Sequence, residues 1–600
     1  MRRTIKTASW LSLATALLMA AAGAPQEEEP SPSQASRQQT AQEGLPPDLQ
    51  FVDVIDVQLV NVEVWVTDGR GRPVRGLTAD DFEVREDGKP VEISYFAEVQ
   101  EERPVSSSVE RTLAEPTAEG SPPPAPPAVD PNHLVIYFDE QHLLPDSRRR
   151  AIEDLGEFLA SEEVPPERVL ILSQDQSLKT EATFGSTWLE LEDALERLSE
   201  SLPRGGIMAS EKRLAIRELQ ELWQWALSTV QGDFSEDRAC DVFLRRAVPR
   251  VERYAESARV RIQVTLDHLA SAASFLTGVP GVKTLLFVSD ALERAPGADL
   301  MEYIDDLCPI QSPIEKQKLM FLYSDEMSQA YRRLTRHANA NRVTIYALQT
   351  QGLTSGFLTS AEQAGGGGYR GSISFDTAKR LSEREGMSTL ADETGGRAIF
   401  NRNEFDSELT AMAREMSSYY SLAYEPTHGG DRGDHELEVR VKGGGDLEVR
   451  HRRGYRDKSA DIQMTERLQG AVYLGLVDNP LGVRLGAGEV EPAPQKKMMT
   501  VPLRVLVPAE QVTFLPREGE VVAQLSVQVS TRNAVDQKGI FDHRAYRVHW
   551  KTPSDQEAVV LSMDLVLPPG LHVVAVGVRD DASRVSSFVS TTVELHEAVP

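Results

Sequence analysis

Short apolar segments separated by helical patterns constrain the fold of this chain more than any other feature. They are HLVIYFDE at 133–140, RVLILSQD at 168–175, VKTLLFVSD at 282–290 and RVTIYALQ at 342–349, with a shorter candidate strand, TEATF, at 180–184. Strands that are apolar on both faces need helices on both faces, and this alternation is typical of a doubly wound parallel sheet. The sequence therefore predicts an α/β domain over 132–418, with a helical insertion at about 203–280.

Three β-rich segments accompany the α/β region. Apolar residues alternate with a period of two over 49–100 and again over 419–456, and each segment is too small to be stable alone. We therefore expect the two to pair into one sandwich, with the α/β domain inserted between them. Many short strands separated by turns over 466–600 are typical of an all-β sandwich. The predicted fold is multidomain: an α/β sheet flanked by β-sandwich units, followed by a C-terminal all-β domain.

The first residues resemble a secretory signal. Three basic residues, Arg2, Arg3 and Lys6, precede an apolar run shorter than the ~20 residues that span a bilayer, and small residues follow it. We expect 1–24 to be a signal peptide, 25–48 a disordered leader and 101–131 a proline-rich linker. The mature protein is then exported, either periplasmic or secreted, without membrane insertion.

The net negative charge of the chain limits the kinds of molecule that it is expected to bind. The chain has 64 basic and 92 acidic residues, a formal net charge of −28. Such a chain repels phosphate backbones and anionic lipid, so protein partners are expected and nucleic acid is not.

Two cysteines are present, Cys240 and Cys308. In an oxidising compartment they can form one disulfide. Two separate buried thiols are the alternative that the sequence leaves open.

Oxygen-bearing side chains follow three of the predicted strands. They are Asp139 and Glu140, Ser186 and Thr187, and Ser289 and Asp290. Parallel sheets bind ligands at the carboxyl ends of their strands, and such oxygens suit a hard cation such as Mg²⁺ or Mn²⁺. Ordinary strand ends and helix caps are the alternative interpretation.

Several motifs together carry a resemblance to a known family. They are VWVTDGRGRPVRGLTADDFEVREDGKPVEI, HLVIYFDE, PGVKTLLFVSDA, STLADETGGRAIFNRN, YYSLAYEP and VRHRRGY. Segment 133–424 resembles a von Willebrand factor type A domain, and 51–456 is similar to the exported VWFA-related proteins abundant in Acidobacteria. The resemblance does not extend to 466–600.

The resemblance implies a metal-ion-dependent adhesion site of the form Asp-x-Ser-x-Ser, completed by a threonine and an aspartate from later loops. Here Asp139 matches the first position, but Gln141 and Leu143 occupy the serine positions. The threonine would correspond to Ser186 or Thr187, and the later aspartate to Asp290. The expected site is therefore degenerate, with a weakened or absent cation, and no cofactor is certain. His142, in the same loop, is expected to be solvated.

The expected function is non-catalytic protein binding, in adhesion or envelope assembly. A secreted hydrolase that uses Asp139 and Glu140 as an acid pair is the alternative. Adjacent strand residues point to opposite faces, so the two carboxyls do not easily reach one substrate. The sequence contains no HExxH, GxSxG or P-loop motif. Binding is therefore the favoured interpretation.

Overall fold

The computed structural model describes residues 60–101, 103–109, 131–230, 235–308, 324–352, 373–426, 428, 433–495, 497–517, 520–535, 539–550 and 557–596. The predicted signal peptide and leader, and most of the predicted linker, lie outside these residues. Among the described helices, none has the length and apolarity needed to cross a bilayer.

Nine α-helices are described. They are α1 (Pro145–Ala160), α2 (Trp188–Glu200), α3 (Gly205–Thr229), α4 (Ser235–Phe275), α5 (Ala298–Leu307), α6 (Ser324–Ala340), α7 (Ile373–Thr394), α8 (Asp406–Ser417) and α9 (Ala460–Leu474).

The described strands up to the last helix belong to the α/β region and its flanking β segments. They are β1 (Val60–Thr67), β2 (Phe82–Glu86), β3 (Lys89–Val91), β4 (Ile93–Gln100), β5 (Arg103–Val109), β6 (His133–Asp139), β7 (Val169–Gln174), β8 (Leu178–Ala182), β9 (Lys283–Ser289), β10 (Val343–Gln349), β11 (Ala398–Ile399), β12 (Tyr419–Tyr424), β13 (Asp434–Val441), β14 (Glu448–His451) and β15 (Gly454–Arg456).

Further strands follow α9. They are β16 (Arg484–Ala487), β17 (Glu491–Pro492), β18 (Met499–Pro508), β19 (Leu515–Arg517), β20 (Glu520–Asn533), β21 (Phe541–Trp550), β22 (Ala558–Leu567), β23 (Gly570–Asp580) and β24 (Ser586–Leu595).

The central sheet has the order β11-β10-β9-β6-β7-β8 and helices on both faces. Successive residues of β6 alternate between two cores: Leu134 and Ile136 pack with α1, α2 and α8, whereas Val135 and Tyr137 pack with α4, α6 and α7. Because β6, β7, β9 and β10 are covered on both faces, their sequences are largely apolar. The helices and the buried strands thus form the doubly wound layers that the sequence predicts.

One strand departs from the predicted parallel sheet. β8 runs antiparallel to β7, with Gln174 opposite Leu178. The connection between these strands is only 175–177, and a parallel crossover needs a dozen or more residues. The sheet is therefore mixed and mostly parallel, and the candidate third strand ends at its opposite edge.

The two flanking β segments share one apolar core. β1 pairs antiparallel with β12 and β14, and β2 pairs with β13. The two sheets, β14-β1-β12-β4-β5 and β15-β13-β2-β3, enclose a core that includes Val62, Phe82 and Tyr420. Neither segment has enough strands to cover its own apolar face, and interleaving them supplies the missing partners. The predicted linker begins inside this sandwich, because 103–109 forms β5 beside β4.

The helical insertion is held by its own core and one covalent link. Residues of α3, α4 and α5 form this core, among them Leu219, Phe243 and Ile304. Cys240 of α4 and Cys308, directly after α5, form a disulfide with a Cα–Cα distance of 5.6 Å. Of the two arrangements that the sequence left open, the structure has the bridge.

The C-terminal strands form an all-β unit around one core, drawn from β18, β20, β22 and β23 among others. Its predicted start at 466 falls inside α9, a helix that the sequence pattern did not predict. Ser459 caps this helix by accepting a hydrogen bond from the Ile462 amide. A side chain at Gly470 would lie 2.6 Å from the carbonyl oxygen of Phe275, so a glycine allows α9 to pack closely against the end of α4.

Candidate functional site

The candidate site is the carboxyl edge of the central sheet, where β6, β9 and β10 end side by side. Asp139 ends β6, Ser289 ends β9, and Asp290 and Thr350 directly follow β9 and β10. Parallel neighbours end at the same edge, so these side chains meet there.

Asp139 is completely buried and makes its contacts within the chain. Its Oδ2 accepts a hydrogen bond from the Ser289 hydroxyl (2.8 Å) and lies 2.7 Å from Nδ1 of His142. His142 is itself buried, which corrects the expectation of a solvated loop histidine. Asp139 Oδ1 and His142 Nε2 have no hydrogen-bond partner among the described residues. One oxygen of this carboxylate is therefore engaged and the other is not.

Asp290 uses both of its oxygens to hold neighbouring segments. Oδ2 accepts the Leu144 amide and Oδ1 accepts the Thr350 hydroxyl, each at 2.7 Å. Burial raises the pKa of Asp290 to about 6, and these hydrogen bonds oppose that rise. The side chain thus fixes the loop after β6 against the end of β10.

Glu140 and Gln141 also face protein groups. Glu140 Oε2 lies 2.7 Å from Nη1 of the buried Arg148, and burial raises the pKa of Glu140 to about 7 against the attraction of that guanidinium. The side-chain amide of Gln141 donates to the carbonyl of Asp175. Asp139 and Glu140 therefore have separate partners rather than a shared one.

Ser186 and Thr187 lie at the other edge of the sheet. Gly185 donates to the carbonyl of Glu167, just before β7 begins, whereas Asp139 is opposite Gln174 at the end of β7. At ~3.3 Å per residue, the length of β7 separates the two positions by roughly 20 Å. Thr187 instead caps α2, forming a capping box with Glu190. The antiparallel direction of β8 is the reason that these residues do not join Asp139 and Asp290.

The start of α3 covers the loop that follows β6. The Arg204 amide donates to the carbonyl of Glu140 (2.7 Å) and the Gly205 amide to that of Leu143 (3.1 Å). A Cβ at position 205 would lie 2.3 Å from the Leu143 carbonyl oxygen, so this approach requires glycine.

Lys212 holds α3 over this loop through two buried ion pairs. Its Nζ lies 2.6 Å from Glu293 Oε1 and 2.5 Å from Asp299 Oδ2, on the segment that follows β9. All three side chains are buried. Burial disfavours the ammonium, but Asp299 and Glu293 hold the pKa of Lys212 above its ordinary value. Sequence reasoning missed Lys212, because Glu293 lies 81 residues away and no local motif joins them.

The donor set at this edge does not fit the cation that the family resemblance implies. A hard cation takes six or more oxygen ligands, and even Mg²⁺, which keeps several waters, needs one or two carboxylates that are free to bind it. Asp139 offers one unengaged oxygen, both oxygens of Asp290 accept hydrogen bonds, and Ser186 and Thr187 are remote. Ser289 directs its hydroxyl to Asp139.

We expect titration of Mg²⁺ into the purified chain to give no saturable heat. The physical reason is the shortage of convergent oxygens described above. Isothermal calorimetry is the measurement, with Asp139→Asn as the matched control that removes the one unengaged carboxylate oxygen. Saturable binding in the native chain that disappears in Asp139→Asn would contradict this prediction.

Comparisons with known proteins give no family assignment. No family model and no curated protein sequence matches the chain. A structure of proximal thread matrix protein 1 from the mussel byssus matches with 10% identity and a TM-score of 0.20, over 48% of each chain. The human COPII-coat protein Sec24c matches with 10% identity and a TM-score of 0.18, over 56% of this chain and 45% of its own. The chain thus spans about half the length of the structures it matches, and the similarity is too low to support an argument about function.

The fold alone defines the class of this protein. The chain is a multidomain α/β protein with a mixed, mostly parallel sheet, several antiparallel sheets and an all-β C-terminal unit.

Proposed function

We propose that this chain is an exported, non-catalytic binding scaffold, built on a von Willebrand factor A-like domain with a degenerate metal site, that acts in adhesion or envelope assembly. The observation that carries the proposal is the closed carboxyl edge of the central sheet. α3 begins on the loop after β6, and Lys212 pairs with Glu293 and Asp299 beyond β9. A ligand held through a bound cation has no place there, so binding uses another surface.

The outer face of α3 is the surface that we propose for the partner. Ile207, Leu214 and Trp225 are 61%, 52% and 37% exposed. They are spaced by seven and eleven residues, which brings each side chain back to nearly the same direction on a helix. A row of exposed apolar side chains along one helix face offers a partner apolar contacts that the chain itself does not cover. Glu211, near the same face, already pairs with Arg261 at 3.0 Å, whereas Glu221 is exposed beside these apolar side chains. We therefore expect a protein partner with an apolar contact surface.

The disulfide supports the exported location. Disulfides such as Cys240–Cys308 are rare in the reducing cytoplasm, whereas they persist in periplasmic and extracellular proteins. The signal-like first residues and the family resemblance point in the same direction.

The alternative, a secreted hydrolase acting through Asp139 and Glu140, gains no specific support. Asp139 contacts His142 and Ser289, whereas Glu140 pairs with Arg148. Both carboxyls are buried, and general acid–base work needs both within reach of one substrate.

Replacement of Ile207 and Leu214 by glutamate should reduce partner recovery roughly tenfold or more, because each lost apolar anchor weakens binding by about 1 kcal/mol or more. The measurement is quantitative cross-linking capture from the envelope and culture medium of the native host. The matched control is Val535→Glu with Val560→Glu, which adds the same charge at positions 87% and 55% exposed on the C-terminal unit. Recovery by the native chain and the control should persist in excess chelator.

Three results would count against the scaffold proposal. They are equal recovery by both double variants, recovery that requires Mg²⁺, and no protein enriched over a capture without bait.

A further inference from the structure

A group of possible metal ligands lies in the sandwich formed by the two flanking β segments, outside the candidate site at the carboxyl edge of the central sheet. Glu86 ends β2, His435 lies on β13, and His428 lies between β12 and β13. One candidate ligand atom from each of the three comes within 4.8 Å of the others. No part of the proposed binding function uses them.

Glu86 is a buried carboxylate with one oxygen engaged. Its Oε1 accepts hydrogen bonds from the hydroxyls of Tyr424 and Tyr455, both at 2.7 Å. Its Oε2 is buried and has no hydrogen-bond partner among the described residues. A buried carboxylate oxygen without a partner is costly, so this atom is suited to a ligand that the described residues do not supply.

The two imidazoles stand directly beside this carboxylate. Nε2 of His428 lies 3.0 Å from the Tyr455 hydroxyl and 3.5 Å from Glu86 Oε1. The ring centroids of His428 and His435 are 3.7 Å apart, with an interplanar angle of 5°. The two rings therefore lie face to face next to the Glu86 carboxylate.

His435 also has the support that metal-binding histidines have. Its Nδ1 lies 2.9 Å from Asp87 Oδ2, and the same carboxylate accepts the Glu436 amide through Oδ1 at 2.9 Å. A carboxylate bound to one ring nitrogen is the usual outer contact of a metal-bound histidine, because it orients the ring and holds the proton on that nitrogen.

We propose that Glu86, His428 and His435 bind a single divalent transition-metal ion of the Zn²⁺ type. Two imidazoles and one carboxylate are a donor set for Zn²⁺ and its neighbours in the first transition series, whereas Mg²⁺ and Ca²⁺ prefer oxygen alone. The bound ion links Glu86 on β2 to His428 and His435. It therefore joins the two flanking β segments, one of which precedes the α/β domain in the sequence and the other of which follows it.

The test is calorimetric titration of ZnCl₂ into the purified, untagged, chelator-stripped full chain. We expect one equivalent of Zn²⁺ to bind and to raise the melting temperature. His428→Ala and His435→Ala should each abolish this binding. Asp87→Asn should lower the affinity roughly 10- to 100-fold, because it removes only the outer contact. His543→Ala, at an exposed histidine on β21, is the matched control and should bind as the native chain does.

A measurement on the native chain guards against variants that fail to fold. Co²⁺ added in place of Zn²⁺ should develop the intense visible bands of a four- or five-coordinate ion, without sulfur-to-metal charge transfer because both cysteines are in the disulfide. The proposal is overturned if no equivalent of Zn²⁺ binds, if Co²⁺ keeps the spectrum of its aqueous ion, or if both histidine variants bind as tightly as the native chain.

Discussion

Replacement of Lys212 by methionine should destabilise the helical insertion by about 3–5 kcal/mol. The variant keeps most of the side-chain volume but removes the ammonium, which leaves Glu293 and Asp299 buried without their cation. Breaking a buried ion pair from one side has a cost of this size, because the remaining charge is uncompensated. Hydrogen–deuterium exchange of the α3 amides measures the change directly as a free energy of opening.

The matched control for this variant is Lys179→Met, which makes the same substitution at an exposed ion pair. Lys179 Nζ lies 3.5 Å from Asp175 Oδ2, and 55% of its side chain is exposed. Surface pairs contribute about 0–1 kcal/mol, so this variant should hardly change exchange. Lys212→Met should also lose less stability in acid, where the stranded carboxyls become neutral. If both substitutions changed the free energy of opening by the same small amount, Lys212 would not be what holds α3 in place.

Removal of the disulfide should cost about 4 kcal/mol. Cys240 and Cys308 are 68 residues apart, and closing a loop of that length restricts the unfolded chain by about this free energy. The double variant Cys240→Ala, Cys308→Ala is the suitable form, because Cys308 is completely buried and alanine adds no polar group there. Urea unfolding measures the loss, and hydrogen–deuterium exchange of the α3 and α4 amides, around the Trp223–Phe243 contact, shows whether it falls on this region.

Reduction of the native chain provides the control for the double variant. If the covalent link accounts for the stabilisation, reduction and the double alanine variant should give losses of similar size. A loss below about 1 kcal/mol in both cases would mean that packing of α4 on α5 suffices without the bridge.

Several features of the fold could be predicted from the sequence because they depend on local pattern. The apolar run 134–138 defines β6, since a strand covered on both faces needs apolar residues at every position. The end of α7 was similarly accessible: Gly395 has φ 81°, a conformation that glycine adopts without strain directly after a helix.

The antiparallel direction of β8 was also within reach, although the sequence analysis missed it. The connection 175–177 is too short for a parallel crossover, and this length can be read from the spacing of the two apolar segments. With β8 taken as parallel, Ser186 and Thr187 were expected at the carboxyl edge of the sheet, whereas they lie at its opposite edge. α9 was missed for a different reason: its Gly470 weakens the helical pattern and is explained only by close packing on Phe275.

By itself the sequence determined the elements and their layers: apolar strands for a doubly covered sheet, alternating strands for the flanking sandwich, and a closely spaced run of acids and polar residues at the strand ends. Only the tertiary structure decided which charged and polar groups meet. Lys212 finds Glu293 and Asp299, His142 turns in to Asp139, and Glu86 gathers His428 and His435 across the inserted domain. The physical reason is that periodicity records which face of an element is buried, whereas the pairing of buried charges depends on distances between segments that are remote in sequence.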